Sequence, residues 1–165
     1  MTTDSKPATL PLEALSDWET LPDGMTLHET PGVSVAADDT VYALTRNTDN
    51  PVIVFSPAGE FIRTFGAGTF TNRTHAILAA HDGYIYCADD GSHTITKWTT
   101  EGELLLTIGT PGEPASRFSG DPFNRPTDMA VADDGSIFIS DGYGNARVHK
   151  YSPTGDHLLS WGEPG

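Results

Sequence analysis

Three side chains have the chemistry of a reactive site and stand where an otherwise repetitive sequence changes. They are Arg46 in Leu44-Thr45-Arg46-Asn47, His75 in Arg73-Thr74-His75-Ala76-Ile77, and Tyr143 in Ser140-Asp141-Gly142-Tyr143-Gly144-Asn145. Histidine is a metal ligand and titrates near neutrality. A tyrosine beside an arginine or a metal loses its proton more easily and can then serve as a base. An arginine can steady that negative oxygen or hold a carboxylate. Plainer readings stand beside these: His75 as a structural histidine, Tyr143 as an aromatic packing over its own loop. Gly142 and Gly144 are expected to let the backbone bend so that Tyr143 projects.

The elements that must position these residues are repeats. Copies run from Val33 to Gly66, His75 to Gly109 and Thr127 to Gly162. Each reads as an apolar strand, an Asp-rich turn, a second strand, a polar loop, a third strand ending in an aromatic, a Gly turn and a fourth strand. Phe55, Trp98 and Tyr151 end the third strands, 43 and 53 residues apart, and the closing Gly66, Gly109 and Gly162 keep that spacing. Val33, Val35 and Ala37 alternate to one face, as do Met129 and Val131. No segment has helical periodicity.

The pattern predicts an all-β fold, a β-propeller with about three four-stranded blades, and it resembles the NHL-type repeat, whose propellers usually have six blades. The blades are expected at about 32–68, 75–111 and 126–163, within a partial propeller over 32–165. Residues 1–31 form an N-terminal lead-in: Met1–Leu10 reads as a loose tail, and Trp18 and Leu21 are expected to pack an entry segment onto the first blade, with a disordered leader as the alternative. In a propeller, innermost strands start at the channel, and the loop from strand two to strand three lies at the same end. That places Arg46, His75 and Tyr143 together at the channel mouth. Three copies make half of a six-bladed ring. The expectation is a longer protein, with two copies assembling into a ring as the alternative.

Composition narrows the partners. The chain has 165 residues and a net charge of −14, from 23 acids and 9 bases, which disfavours nucleic acid and anionic membranes. A peptide or small-molecule ligand remains. Cys87 is the only cysteine, lies in an apolar run, and reads as a buried structural thiol. No secretory signal or membrane-spanning stretch is visible, so a cytoplasmic location is expected. Asp89-Asp90-Gly91-Ser92 lacks EF-hand spacing and reads as a solvated turn. Gly66-Ala67-Gly68 precedes no helix and is no phosphate cradle. There is no Gly-x-Ser-x-Gly elbow.

The third copy is more specific. Phe123-Asn124-Arg125-Pro126-Thr127-Asp128-Met129-Ala130-Val131, continuing to Ser140-Asp141-Gly142-Tyr143-Gly144-Asn145-Ala146-Arg147-Val148, resembles peptidyl-α-hydroxyglycine α-amidating lyase. The resemblance implies a six-bladed propeller that cleaves the N–Cα bond of a C-terminal α-hydroxyglycine, giving a peptide amide and glyoxylate. It implies that Tyr143 and Arg46 are catalytic, that His75 binds zinc, and that the backbone of Val33 and Ile77 helps to hold calcium. The family's zinc site takes three histidines, and the other two belong to later blades. His28, His81, His93, His149 and His157 do not supply that pair; His93 is the one other histidine expected near the mouth. Gly144 stands where the vertebrate enzyme has a disulfide cysteine. The alternative is a non-catalytic NHL propeller that binds a peptide, protein or small ligand at the same mouth.

Overall fold

Short β-branched and aromatic runs separated by Gly and Asp turns leave the chain little choice but hairpins. The computed structural model describes residues 12–165, and the tail expected over Met1–Leu10 lies outside them. The first sheet holds β1 (Gly32–Val35), β2 (Val41–Leu44), β3 (Val52–Phe55) and β4 (Phe61–Phe65). The second holds β5 (Thr74–Ala79), β6 (Ile85–Asp89), β7 (Thr94–Trp98) and β8 (Leu104–Ile108). The third holds β9 (Asp128–Val131), β10 (Ile137–Asp141), β11 (Arg147–Tyr151) and β12 (His157–Trp161). Each sheet is an antiparallel meander in chain order. Inner strand β1 packs against β5, and β5 against β9, so the sheets stand side by side as consecutive propeller blades.

The two-residue period of a strand sorts side chains between neighbouring blades. On β6, Ile85 and Cys87 pack against Leu44, Val52 and Val54 of the first blade. Tyr86 and Ala88, pointing the other way, pack against Met129, Ile137 and Ile139 of the third. A strand buried on both faces explains why Tyr84 to Ala88 reads as an unbroken apolar run. Cys87 is fully buried, and burial pushes its thiol pKa well up, as expected of a structural thiol. The first copy's alternation holds, but Val33 and Val35 are the exposed members, at 65% and 55%.

The aromatic closing each third strand packs backwards onto whatever precedes its blade. Tyr151 tilts against Phe123, and Trp98 lies between Phe65 and Phe70. Phe55 meets Trp18, their ring centres 5.7 Å apart. A bulge sits at each of these aromatics, between Val54/Phe55, Lys97/Trp98 and Lys150/Tyr151. The Gly turns that follow need a left-handed backbone: Gly102 has φ +92°, and a Cβ there would lie 2.5 Å from that of Phe65.

The lead-in segment does dock on the first blade. Trp18, Leu21, Met25 and Leu27 cover Ala43, Ile53 and Phe55. The Thr20 amide donates to the Gly59 carbonyl at 2.8 Å. Trp18→Ala therefore uncovers that face, and a loss of roughly 2 kcal/mol in a denaturant titration is expected, less than for a fully buried tryptophan.

Candidate functional site

The channel-mouth end gathers the loops that open inner strands and the loops that join strands two and three. Arg46, His75 and Tyr143, one from each blade, line a single cleft with Asn72, Arg73, Asp90 and Arg125. Its volume is about 240 Å³.

His75 owes its direction to a bulge. Thr74 pairs with Asp89 and Ala76 with Ala88, so His75 has no partner across the ladder. Bulges re-aim side chains in this way. The His75 Nε2 lies 3.2 Å from the Tyr143 hydroxyl, a hydrogen bond between the second and third blades. The rings meet edge-on, centres 5.4 Å apart. The Thr74 hydroxyl donates to the Thr45 carbonyl at 2.8 Å, which fixes the His75 strand against the Arg46 loop. Arg46 is exposed, and its side chain makes no ion pair among the described residues.

Tyr143 does not sit on a loop bent by glycines. Gly142–Asn145 form one helical turn, α1, too short to leave a periodicity in the sequence. The left-handed residue is Ala146, with φ +54°, and neither Gly142 nor Gly144 has a positive φ. Gly144 is there for closeness: a Cβ would fall 1.9 Å from Asn124 Oδ1. Buried Asp141 holds the turn from below. It accepts the Asn124 amide at 2.8 Å and the Asn145 side-chain amide at 2.8 Å, and lies 3.3 Å from His149 Nε2. His149, fully buried, is thus structural.

The Asp89-Asp90 segment is not a solvated turn. Both residues are buried. Asp89 accepts the Thr71 hydroxyl at 2.7 Å and the Gly91 amide at 2.9 Å. Asp90 binds Arg73 Nε at 2.7 Å and Arg125 Nη2 at 2.7 Å. Hydrophilic composition and two acids in a row suggested a surface loop; the arginines that neutralise one of them lie 17 and 35 residues away.

Burial opposes ionisation of Asp90, but bonds and charge from Arg73 and Arg125 outweigh it and hold its carboxyl below the usual range. A lowered folded pKa contributes stability in full above the ordinary aspartate value of 3.8. That contribution is lost as pH falls through the lower folded value. The stability gap between the wild type and Asp90→Asn is therefore expected at pH 7 and to close in acid below 3.8, read from urea midpoints.

Arg125 carries the strain of this arrangement. It adopts φ +67° immediately before Pro126. Its amide donates to His93 Nδ1 at 3.1 Å, and its guanidinium lies 4.6 Å from the centre of the Tyr143 ring, a cation–π contact. His93 is near the mouth as expected, yet its Nδ1 is engaged by that bond. Its pKa is lowered by burial first.

The metal expectations fare unevenly. No group of three or more His, Cys, Asp or Glu among the described residues could hold a metal ion. His75 alone does not make a zinc site, and its Nε2 is occupied by Tyr143. Gly32, the neighbour of Val33, lies against Ile77: a Cβ on Gly32 would fall 3.2 Å from the Ile77 nitrogen. Ala36 donates to Thr40 and Ala80 to Tyr84, so antiparallel alternation turns the Val33 and Ile77 carbonyls away from their partner strands. Two carbonyls fall short of the six to eight oxygens calcium takes. No helix among the described residues is long and apolar enough to cross a membrane.

Known proteins share this fold and parts of this sequence. Residues 123–151 match the NHL repeat family, so the chain contains an NHL repeat. It is 30% identical over 118 residues to peptidyl-alpha-hydroxyglycine alpha-amidating lyase 1 of Drosophila melanogaster, covering 70% of this chain and 21% of that protein. It is 34% identical over 137 residues to human NHL repeat-containing protein 3, covering 76% of this chain and 38% of that one. The chain thus spans less than two fifths of the length of either relative. Virginiamycin B lyase from Staphylococcus aureus superposes with a TM-score of 0.62 at 14% identity, covering 82% of this chain and 42% of that one. At that identity the likeness is one of β-propeller fold alone.

Proposed function

We propose that this NHL-repeat propeller segment belongs to a carbon–nitrogen lyase acting on peptides that end in α-hydroxyglycine, with its cleft forming part of the active site. The observation that carries the reading is the His75–Tyr143 hydrogen bond at the mouth, with Arg46 on the same cleft wall. Similarity to an amidating lyase from Drosophila melanogaster supports the reaction class.

The chemistry assigned to these residues is proton transfer. Tyr143, steadied as phenolate by Arg46, takes the proton of the α-hydroxyl. The oxygen's electron pair closes to a carbonyl, the N–Cα bond breaks, and the nitrogen leaves with its bonding pair. The abstracted proton returns to that nitrogen, so the products are a peptide amide and glyoxylate. His75 Nε2, on the tyrosine hydroxyl, orients it and shares its proton. The zinc and calcium of the resembled family need more ligands than these residues provide.

A second reading keeps the cleft and drops the reaction: a binding propeller, favoured by the single histidine on the cleft and by similarity to NHL repeat-containing protein 3. Incubating the complete gene product with an α-hydroxyglycine peptide separates the two. Glyoxylate above the buffer rate supports the lyase. Saturable binding without glyoxylate supports the second reading.

A further inference from the structure

We propose that Arg73 and Arg125, clamped by Asp90, form a carboxylate-binding site on the cleft wall beside His75 and Tyr143. The proposal rests on the reading of this cleft as the functional site, and it holds whether the bound molecule reacts or not.

The charge distribution comes first. The chain carries −14 net and has nine Lys and Arg in all. Three of the nine, Arg46, Arg73 and Arg125, line this one small cleft, against a single carboxylate. A concentration of positive charge in an acidic protein draws anions to that point. Asp90 balances one guanidinium of the clamp and leaves one positive charge over. With Arg46 on the same cleft a second positive charge is present, so inorganic phosphate is the competing anion that the test has to exclude.

The geometry then makes the clamp a prepared receptor. The Asp90 side chain is 5% exposed, whereas those of Arg73 and Arg125 are 51% and 39% exposed. Asp90 therefore works from behind. Arg73 engages it through Nε and Nη2, and so does Arg125. Their Nη1 groups make no hydrogen bond among the described residues, so donors remain on both forks. Arg125 is further fixed by the Tyr143 ring under its guanidinium. A carboxylate held there lies next to the tyrosine, where an acid adjoining the reacting carbon needs to be.

The test is a titration of the complete gene product with N-acetylglycine and with neutral N-acetylglycinamide, followed through the ring signals of His75 and Tyr143. The acid is expected to bind at least about tenfold more tightly than the amide and more tightly than inorganic phosphate. Arg73→Gln, on a half-exposed side chain, is expected to weaken acid binding about tenfold or more and amide binding much less, since the lost hydrogen bond is to a charged group only for the acid. Arg125→Gln gives the same result from the other fork. Equal affinity for acid and amide, or unchanged acid binding in a folded Arg73→Gln protein, overturns the proposal; tighter phosphate binding also overturns it. Neither ligand carries the α-hydroxyl that the reaction needs, so the outcome is independent of whether glyoxylate is ever released.

Discussion

Tyr143→Phe is expected to slow glyoxylate release from an α-hydroxyglycine peptide by at least about a hundredfold. The change removes one oxygen and keeps the ring. That oxygen is bonded to His75 Nε2 at 3.2 Å and is the atom assigned to take the hydroxyl proton. A positioned general base contributes about 10²–10⁴-fold. The ring still supports Arg125 through its face, so the carboxylate site should persist. The expected signature is a fall in kcat with little change in KM. A structural aromatic would leave both kcat and KM unchanged, because phenylalanine packs as well as tyrosine. Tyr143 is 54% exposed, so the substitution leaves no buried partner to destabilise the fold.

Trp98→Ala is expected to cost about 3–5 kcal/mol of stability, the range for emptying a buried aromatic site. Trp98 is 3% exposed and joins two blades. Its ring centre lies 5.4 Å from that of Phe65 and 5.7 Å from that of Phe70, the latter stacked at 25°. Its Nε1 donates to the Thr96 hydroxyl at 2.8 Å. Backbone on both sides limits collapse into the space, because Gly66 and Gly102 already bring the chain against Phe70 and Phe65. Domains of this kind hold about 5–15 kcal/mol in all, so the variant approaches unfolding. Trp161→Ala, at a side chain 45% exposed, is the control and should shift the denaturant midpoint far less. A Trp98→Ala loss under about 1 kcal/mol contradicts the assigned packing.

The blades were legible because each repeats one rule three times over: alternating strands, a closing aromatic on the third strand and a glycine turn, whereas the bulge at each aromatic left no mark in the sequence. Trp18 and Leu21 were legible as a cover because apolar residues ahead of a first blade have one open face to fill. The site was half legible. Arg46, His75 and Tyr143 stood out as departures between copies, and the fold brings all three to one cleft. The clamp was missed because its acid looked like a turn residue. A signal was present: Arg73 precedes His75 by two positions, as Arg125 precedes Thr127 in the next copy. The same charged residue recurs at the same place in two blades, where it has no strand to build. The helical turn under Tyr143 was not legible at all. It depends on Asp141 being buried beneath it and on Asn124 pressing against Gly144, contacts that span 17 residues or more.

This cleft is proposed to help cleave an N–Cα bond. The most direct measurement counts both products when the complete gene product meets benzoyl-α-hydroxyglycine. Glyoxylate and benzamide are expected in equal amounts, formed faster than in buffer and suppressed by Tyr143→Phe. Recovery of intact substrate at the buffer rate, or product formation that Tyr143→Phe leaves untouched, would contradict it.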